Sequence, residues 1–593
     1  MRVALGAASE RSRSRPAMPG PPRRWPWAAR CTARFRLLAV LPIALLVALG
    51  GACSGQFASH DAASPLHVTL LAFNDFHGNL ETPAGAVLVR DPSDPARANR
   101  VPAGGAAYLA TLVRQLGADN PNHAVVAAGD LIGASPLTSA LQRDEPTIDA
   151  LDALGLEASA VGNHEFDRGL AELRRMQYGG CRPGDDCAGG GGFAGARFRY
   201  LAANVVDARS GERIFPPYFV KRFDGVPVAF VGVVTRDTPR ITGARGVAGL
   251  RFVDEAEAVN ALVPELRRQG IEAIVVLIHE GGQTSSGYSD QRCENFEGEI
   301  VDIAQRLDSA VDVIVSGHTH RAYVCRIGGR LVTQAGAYGR FLTRIDLTID
   351  RQSQDVTGAS ARNHVVDAAT LAKDPATALI VERAQAATSH ISDVRVGALA
   401  AEISRIANRA GESALGDVVA DSQLAATAAP DQGAAQFALM NPGGIRADLV
   451  PHDGVVIYGD LFAVLPFQNN LVVVELTGAQ IARLLEEQWS ATSDGGTILQ
   501  VSQTFSYSWD RTRPVGARIV PGTIKVNGVA LAPGRSYRVA VNSFMAAGGD
   551  GLTTLQAGIR RAEGPLLRDA LGEYLRAHPD LRAPALGRIS QTQ

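Results

Sequence analysis

The stretch "VGNHEFDRG", residues 161–169, follows the small apolar residues of "ASAV" and sets Asn163, His164, Glu165 and Asp167 within five positions. Polar side chains that dense at the end of a strand are costly to bury unless something satisfies them. The same arrangement recurs along the chain. "HVTLLAF" runs into "NDFHGN" (74–79), "AVVAAG" into Asp130, "EAIVVLIH" into "EGG" after His279, and "VDVIVSG" into "HTH" (318–320). "RYLAANV", "VPVAFVGVV" and "LVTQAG" are further short runs rich in Val, Ile, Leu and Ala, separated by helical stretches. Continuous apolar strands alternating with helices predict an α/β layered domain with buried strands. Polar clusters at the carboxyl ends of such strands lie where these folds build sites.

Together the clusters offer Asp75, His77, Asp130, Asn163, His279, His318 and His320. Two carboxylates, one carboxamide oxygen and four imidazoles suit Zn, Mn or Fe, and the lack of thiolate argues against a purely structural zinc. Seven donors are too many for one tetrahedral ion. Two divalent ions sharing a carboxylate use them all and leave positions open for water and a phosphoryl oxygen.

The order D-x-H, G-D, G-N-H-[ED], H and G-H-x-H resembles that of the calcineurin-like metallophosphoesterases. From residue 67 to about 590 the chain looks more narrowly like the bacterial 5′-nucleotidase/UDP-sugar hydrolase family. That resemblance implies a four-layer α/β metallophosphoesterase sandwich over 67–364, a linking helix and hinge over 365–400, and an α/β nucleotide-binding domain over 401–593. It also implies that Asp75, His77, Asp130 and His320 hold one metal, and that Asp130, Asn163, His279 and His318 hold the other, with Asp130 bridging. His164 would face the substrate phosphate and Asp167 would orient it, since a carboxylate fixes the tautomer of an imidazole and raises its basicity. Glu165 is read as a solvated first-turn residue of the helix in "FDRGLAELRRM", favoured there by the helix dipole.

A dimetal centre hydrolyses phosphate esters generally, so specificity must come from elsewhere. The C-terminal region offers "NPGGIR" (441–446), "VLPFQN" with Phe467, and "NSFMAAGGDG" with Phe544 and Asp550. An arginine fork matches phosphate, and two rings sandwich a base. By family resemblance, Arg409 and Arg446 bind phosphate, Phe467 and Phe544 flank the base, Asp550 takes the ribose, and Asn441 lies near base or sugar. Arg405 is the alternative to Arg409. The implied activity is hydrolysis of nucleoside 5′-monophosphates to nucleoside and phosphate, with di- and triphosphates as further candidate substrates. UDP-sugar or 2′,3′-cyclic-nucleotide hydrolysis on the same scaffold is the alternative, and a non-catalytic surface-binding module is the reading from another class.

The 593 residues exceed what one core accommodates. Of 58 basic and 60 acidic residues, nine arginines and one acid fall in residues 1–52, leaving 49 against 59 and a net charge of −10. Such a body is not expected to bind a nucleic-acid polymer non-specifically, because that requires a basic face. The arginine-rich start, the apolar "LLAVLPIALLVALGGA" (37–52) and Cys53 resemble a bacterial lipoprotein signal. They predict a leader over 1–52, a tether over 53–66, and an exported protein, periplasmic or at the outer-membrane or cell surface, touching membrane only through a lipid on Cys53. Cys181 and Cys187 bracket the turn-rich "RPGDD" and are expected to pair, leaving Cys293 with Cys325, although sequence does not fix the connectivity.

Overall fold

The computed structural model describes residues 64–90, 97–181, 192–288, 290–489 and 496–592. The leader, Cys53 and Cys187 lie outside the described residues. Among those described, no helix is long and apolar enough to cross a membrane.

Two six-stranded sheets build the N-terminal domain. The first runs, edge to edge, Val356–Val365, Phe341–Ile349, Leu66–Phe73, His123–Ala128, Ala158–Ala160, Arg199–Leu201. The second runs Ala322–Ile327, Arg330–Ala335, Val313–Ser316, Ala273–His279, Val226–Val234, Tyr218–Phe223. The strands that precede the polar clusters pair in parallel, so their carboxyl ends open on one edge of the sandwich.

Strand Leu66–Phe73 shows why four layers form. Val68, Leu70 and Ala72 point into a core shared with Val228, Val275 and Leu277 of the second sheet. Leu71 and Phe73, on the other face, pack in the core that holds Leu109 and Leu151 of helices Ala106–Ala118 and Glu145–Leu154. The second sheet is covered likewise, with Val231 and Val276 against Val259 and Leu266 of two helices. A strand buried on both faces must be apolar at every position, which is why these runs lack alternation. Each fully buried aliphatic side chain contributes roughly 1.5–3 kcal/mol. Cys293 and Cys325 are joined by a disulfide with Cα atoms 5.7 Å apart.

A helix lies within the segment that links the two domains. The helix spans Pro375–Ser392, started by Pro375 and capped by the Asp374 carboxylate on Thr377 N–H. The chain then extends, and Arg395–Ala398 pairs with Val455–Ile457. In the C-terminal domain, strands Gln500–Val501, Phe437–Met440, Ser536–Asn542, Asn470–Thr477 and Ile559–Leu566 form a five-stranded mixed sheet in that order. Helix Gly478–Glu486 starts on a capping box between Thr477 and Gln480. It packs Ile481, Leu484 and Leu485 with Val472, Val474 and Val539 of the sheet.

Candidate dimetal site and cleft

Three strand ends of the first sheet and two of the second deliver the polar clusters. Asp75 and His77 follow Phe73, Asp130 follows Ala128, and Asn163 and His164 follow Ala160. His279 ends its own strand, and His318 and His320 follow Ser316. The turns are tight. Asp75, His77, Asp130, His318 and His320 all have φ between +47° and +73°. Five left-handed non-glycine residues in one place are costly and mark a functional constraint. Gly162 is required by proximity, because a Cβ there would meet Asp130 Oδ1 at 2.1 Å.

The donor atoms converge. His320 Nε2 lies 3.1 Å from Asp75 Oδ1 and 3.2 Å from His77 Nε2. Asp130 Oδ2 stands between two imidazoles, 3.5 Å from His77 Nε2 and 3.0 Å from His279 Nε2. Asn163 Oδ1 lies 3.1 Å from His279 Nε2. Donor atoms of Asp75, His77 and His320 fall within 4.8 Å of one another, as do those of Asp75, Asp130 and His279. His318 sits at the margin, its ring centroid 5.2 Å from that of His279 and its N–H donating to Asp75 Oδ2 at 2.9 Å.

These residues fit divalent cations. His77 Nδ1 donates to the Gly133 carbonyl at 2.9 Å and His279 Nδ1 to the Ala128 carbonyl at 2.8 Å. Each ring is thereby oriented with Nε2 facing the cluster, the arrangement that metal-binding imidazoles use. Burial and neighbouring positive charge hold His77 well below its usual pKa, and His318 and His320 are pushed down to about 4, mainly by burial. Burial would raise Asp75, yet His320 pulls it down to about 2; Asp130, beside His279, is also held well below the carboxylate range. Neutral imidazoles beside ionised carboxylates are the protonation states that cations require. His279 is the exception. Burial opposes its charge, but Asp130 lifts it to about 10, so a cation arriving at Nε2 displaces a proton.

His164 stands beside this cluster, its ring centroid 5.1 Å from that of His77. Its Nδ1 donates to Asp167 Oδ2 at 2.9 Å. Burial lowers its pKa, but Asp167 and Asp130 outweigh that and raise it.

Glu165 is not the solvated residue the sequence reading expects. It is 3 % exposed, and it lies in the single turn of helix His164–Phe166, ahead of helix Leu170–Tyr178. Its carboxylate accepts the N–H groups of Gly162 (2.5 Å), Asp130 (2.9 Å), Leu131 (2.8 Å) and Ile132 (3.3 Å). It ties the Asp130 loop to the Asn163 turn. The only trace in sequence is its place next to His164 and two residues after Asn163.

A cavity of about 940 Å³ adjoins the cluster, and Asn163, His164, His318, Asn441, Arg446, Phe467, Phe544 and Asp550 all line it. Phe467 stacks on His164. Asn441 donates to Asp550 Oδ2 at 2.8 Å, and Asn542 donates to Asn441 Oδ1 at 2.8 Å. Gly549 carries no Cβ because one would strike the Phe544 ring at 2.4 Å. Arg446 Nη2 donates to His77 Nε2 at 3.1 Å. Arg409 is exposed and, like Arg405, is not among the residues that line the cavity. The charge of Arg405 is felt by His320, and its N–H donates to Asp448 at 2.7 Å. Asp448 anchors the loop at Ser404 and Arg405.

Fold and donor set define a metallophosphoesterase sandwich joined to a second domain that closes over it. The calcineurin-like phosphoesterase family matches residues 68–322, and the C-terminal domain of 5′-nucleotidases matches 388–557. The chain is 32% identical over 497 residues to endonuclease YhcR of Bacillus subtilis and 31% identical over 526 residues to cell wall protein Lmo0130 of Listeria monocytogenes. Those alignments take in 83% and 84% of this chain but 38% and 65% of the relatives, so the chain spans only part of their length. The crystal structure of a 5′-nucleotidase precursor from Thermus thermophilus superposes with a TM-score of 0.72 at 27% identity, covering 89% of this chain and 99% of that one. The chain belongs to the 5′-nucleotidase family of calcineurin-like metallophosphoesterases.

Proposed function

We propose that this protein is an exported metal-dependent phosphohydrolase acting on nucleoside 5′-monophosphates, with Asp75, His77, Asp130, Asn163, His279, His318 and His320 holding two divalent cations. The observation that carries the reading is the one cavity shared by His164 and the cluster's edge on one side and by Phe467, Phe544 and Asp550 on the other. Bound cations supply Lewis acidity to a phosphoryl oxygen and to the attacking water. The chain's own residues do the rest. Arg446 brings a guanidinium to the cluster and neutralises charge that develops on the phosphoryl group. His164, held by Asp167, presents Nε2 as a donor on the same side. Phe467 and Phe544 give the base apolar faces, and the Asp550 carboxylate accepts ribose hydroxyls while Asn441 fixes its position.

A net charge of −10 outside the leader opposes binding of a polymeric nucleic acid, which separates this reading from the activity in the Bacillus relative's name. Export rests on the leader and the lipid anchor on Cys53. The experiment is phosphate release by the purified protein, with Mn²⁺ or Zn²⁺, from AMP, ATP, UDP-glucose, 2′,3′-cyclic AMP and single-stranded DNA. AMP is expected to lead the panel. No release from AMP overturns the proposal, and preference for UDP-glucose or the cyclic nucleotide replaces the substrate. Mass spectrometry of the protein from its native membrane, against a Cys53→Ala form, reads the lipid.

A further inference from the structure

Tyr338 has φ +63°, a region where a bulky side chain persists only if its surroundings hold it. Its N–H donates to the Asp75 carbonyl at 2.7 Å. Its ring lies against the imidazoles of His77 and His320, with centroids 5.8 and 5.3 Å away. Its hydroxyl leaves the N-terminal domain and donates to the carbonyl of Arg446 at 3.0 Å. Arg446 in turn reaches back to His77. One residue thus touches two metal-ligand candidates, the backbone of a third, and the backbone of the arginine that faces them from the other domain.

We propose that Tyr338 is a positioning residue that couples closure of the two domains to the metal centre, its hydroxyl fixing Arg446 over the cluster. The catalytic consequence rests on the phosphohydrolase reading above; the closure itself does not. Packing alone does not account for the hydroxyl. Phenylalanine fills the same space against His77 and His320, and the backbone bond to Asp75 needs no side chain. What the phenol adds is one bond between domains, at the arginine. Of the other cross-domain contacts, Phe467 on His164 and the turn Thr238–Ile241 on Gly549–Gly551 fall on the nucleoside side of the cleft, while the Arg446–His77 bond lies beside Tyr338 at the metal cluster. Tyr338 joins the domains on the phosphate side.

The test compares Tyr338→Phe, Arg446→Ala and the double variant in the full chain loaded with Mn²⁺, alongside a spin-label pair with one label per domain. Tyr338→Phe is expected to keep its metal content and melting temperature, to shift the interdomain distance toward the open form, and to lose about fivefold in kcat/KM for AMP, as for one neutral hydrogen bond. In the Arg446→Ala background the same change is expected to cost nothing further, because Tyr338 acts through Arg446. An unchanged distance distribution overturns the proposal. So does lost metal, or an equal loss in both backgrounds. Should the parent protein hydrolyse no nucleotide, the functional reading fails while the spin-label distances still read the coupling.

Discussion

Phe467, from the C-terminal domain, stacks on His164 of the N-terminal domain with ring centroids 5.7 Å apart and planes 25° apart. One aromatic face therefore joins the nucleoside side of the cleft to the imidazole beside the metal cluster. Phe467→Ala is expected to raise KM for AMP by roughly 5- to 150-fold, the range set by about 1–3 kcal/mol of stacking per base. His164→Ala is expected to act on kcat instead, lowering it about 10²–10⁴-fold with metal retained. Steady-state kinetics separates the two, and a His164→Ala protein with unchanged kcat removes that residue from the chemistry.

Glu165 gives a stability prediction. Glutamine offers one acceptor oxygen where the carboxylate serves four N–H groups. Each buried N–H left without a partner costs about 1–3 kcal/mol. Glu165→Gln is expected to melt several degrees lower and to lose metal to a chelator faster than the parent protein. Unaltered melting and metal retention would show that the Asp130 loop stands without this support.

Arg405 and Arg409 lie four residues apart on one loop, both exposed, and of the two only Arg405 has its charge felt at His320. Arg409→Ala is expected to leave kcat/KM within about twofold, as for an exposed surface change. Arg405→Ala is expected to weaken phosphate binding, read as a higher inhibition constant for inorganic phosphate. The reverse pattern would restore Arg409 to the site.

The C-terminal domain carries a pH-sensitive carboxyl remote from the metals. Asp417 is fully buried, and Arg588 Nε lies 3.3 Å from its carboxylate. Burial outweighs Arg588 and pushes its pKa up to about 8. In the unfolded chain this group ionises near 4, so between those values the folded state holds the extra proton. Stability from this group is therefore full at low pH and is lost as pH rises toward 8. Asp417→Asn is expected to flatten the fall of melting temperature between pH 5 and 8. A parallel slope in both proteins would remove Asp417 from that dependence.

Much of the architecture was readable because the strands are buried on both faces. Leu66–Phe73 and Ala273–His279 are apolar almost throughout, and their polar ends stand out against that background. Strands Phe341–Ile349 and Val356–Val365 were harder to read, because alternating exposure and a Gly-Ala-Ser stretch weaken the apolar signal. Backbone conformation left no trace: nothing in "NDFHGN" announces that Asp75 and His77 are left-handed. Glu165 shows the same limit for side chains. Three of its four partners lie more than 30 residues upstream, so a charge that looks solvated in sequence is fully committed in the fold. Tyr338 is similar, since its significance comes from Arg446, 108 residues further on.

The central claim is that the clustered side chains hold two cations about the Asp130 carboxylate. An anomalous-difference map from crystals grown with Mn²⁺ tests it most directly. Two peaks flanking Asp130, one toward His77 and His320 and the other toward Asn163 and His279, are the expected result. A single peak, or metal bound elsewhere with this cluster empty, would contradict the account.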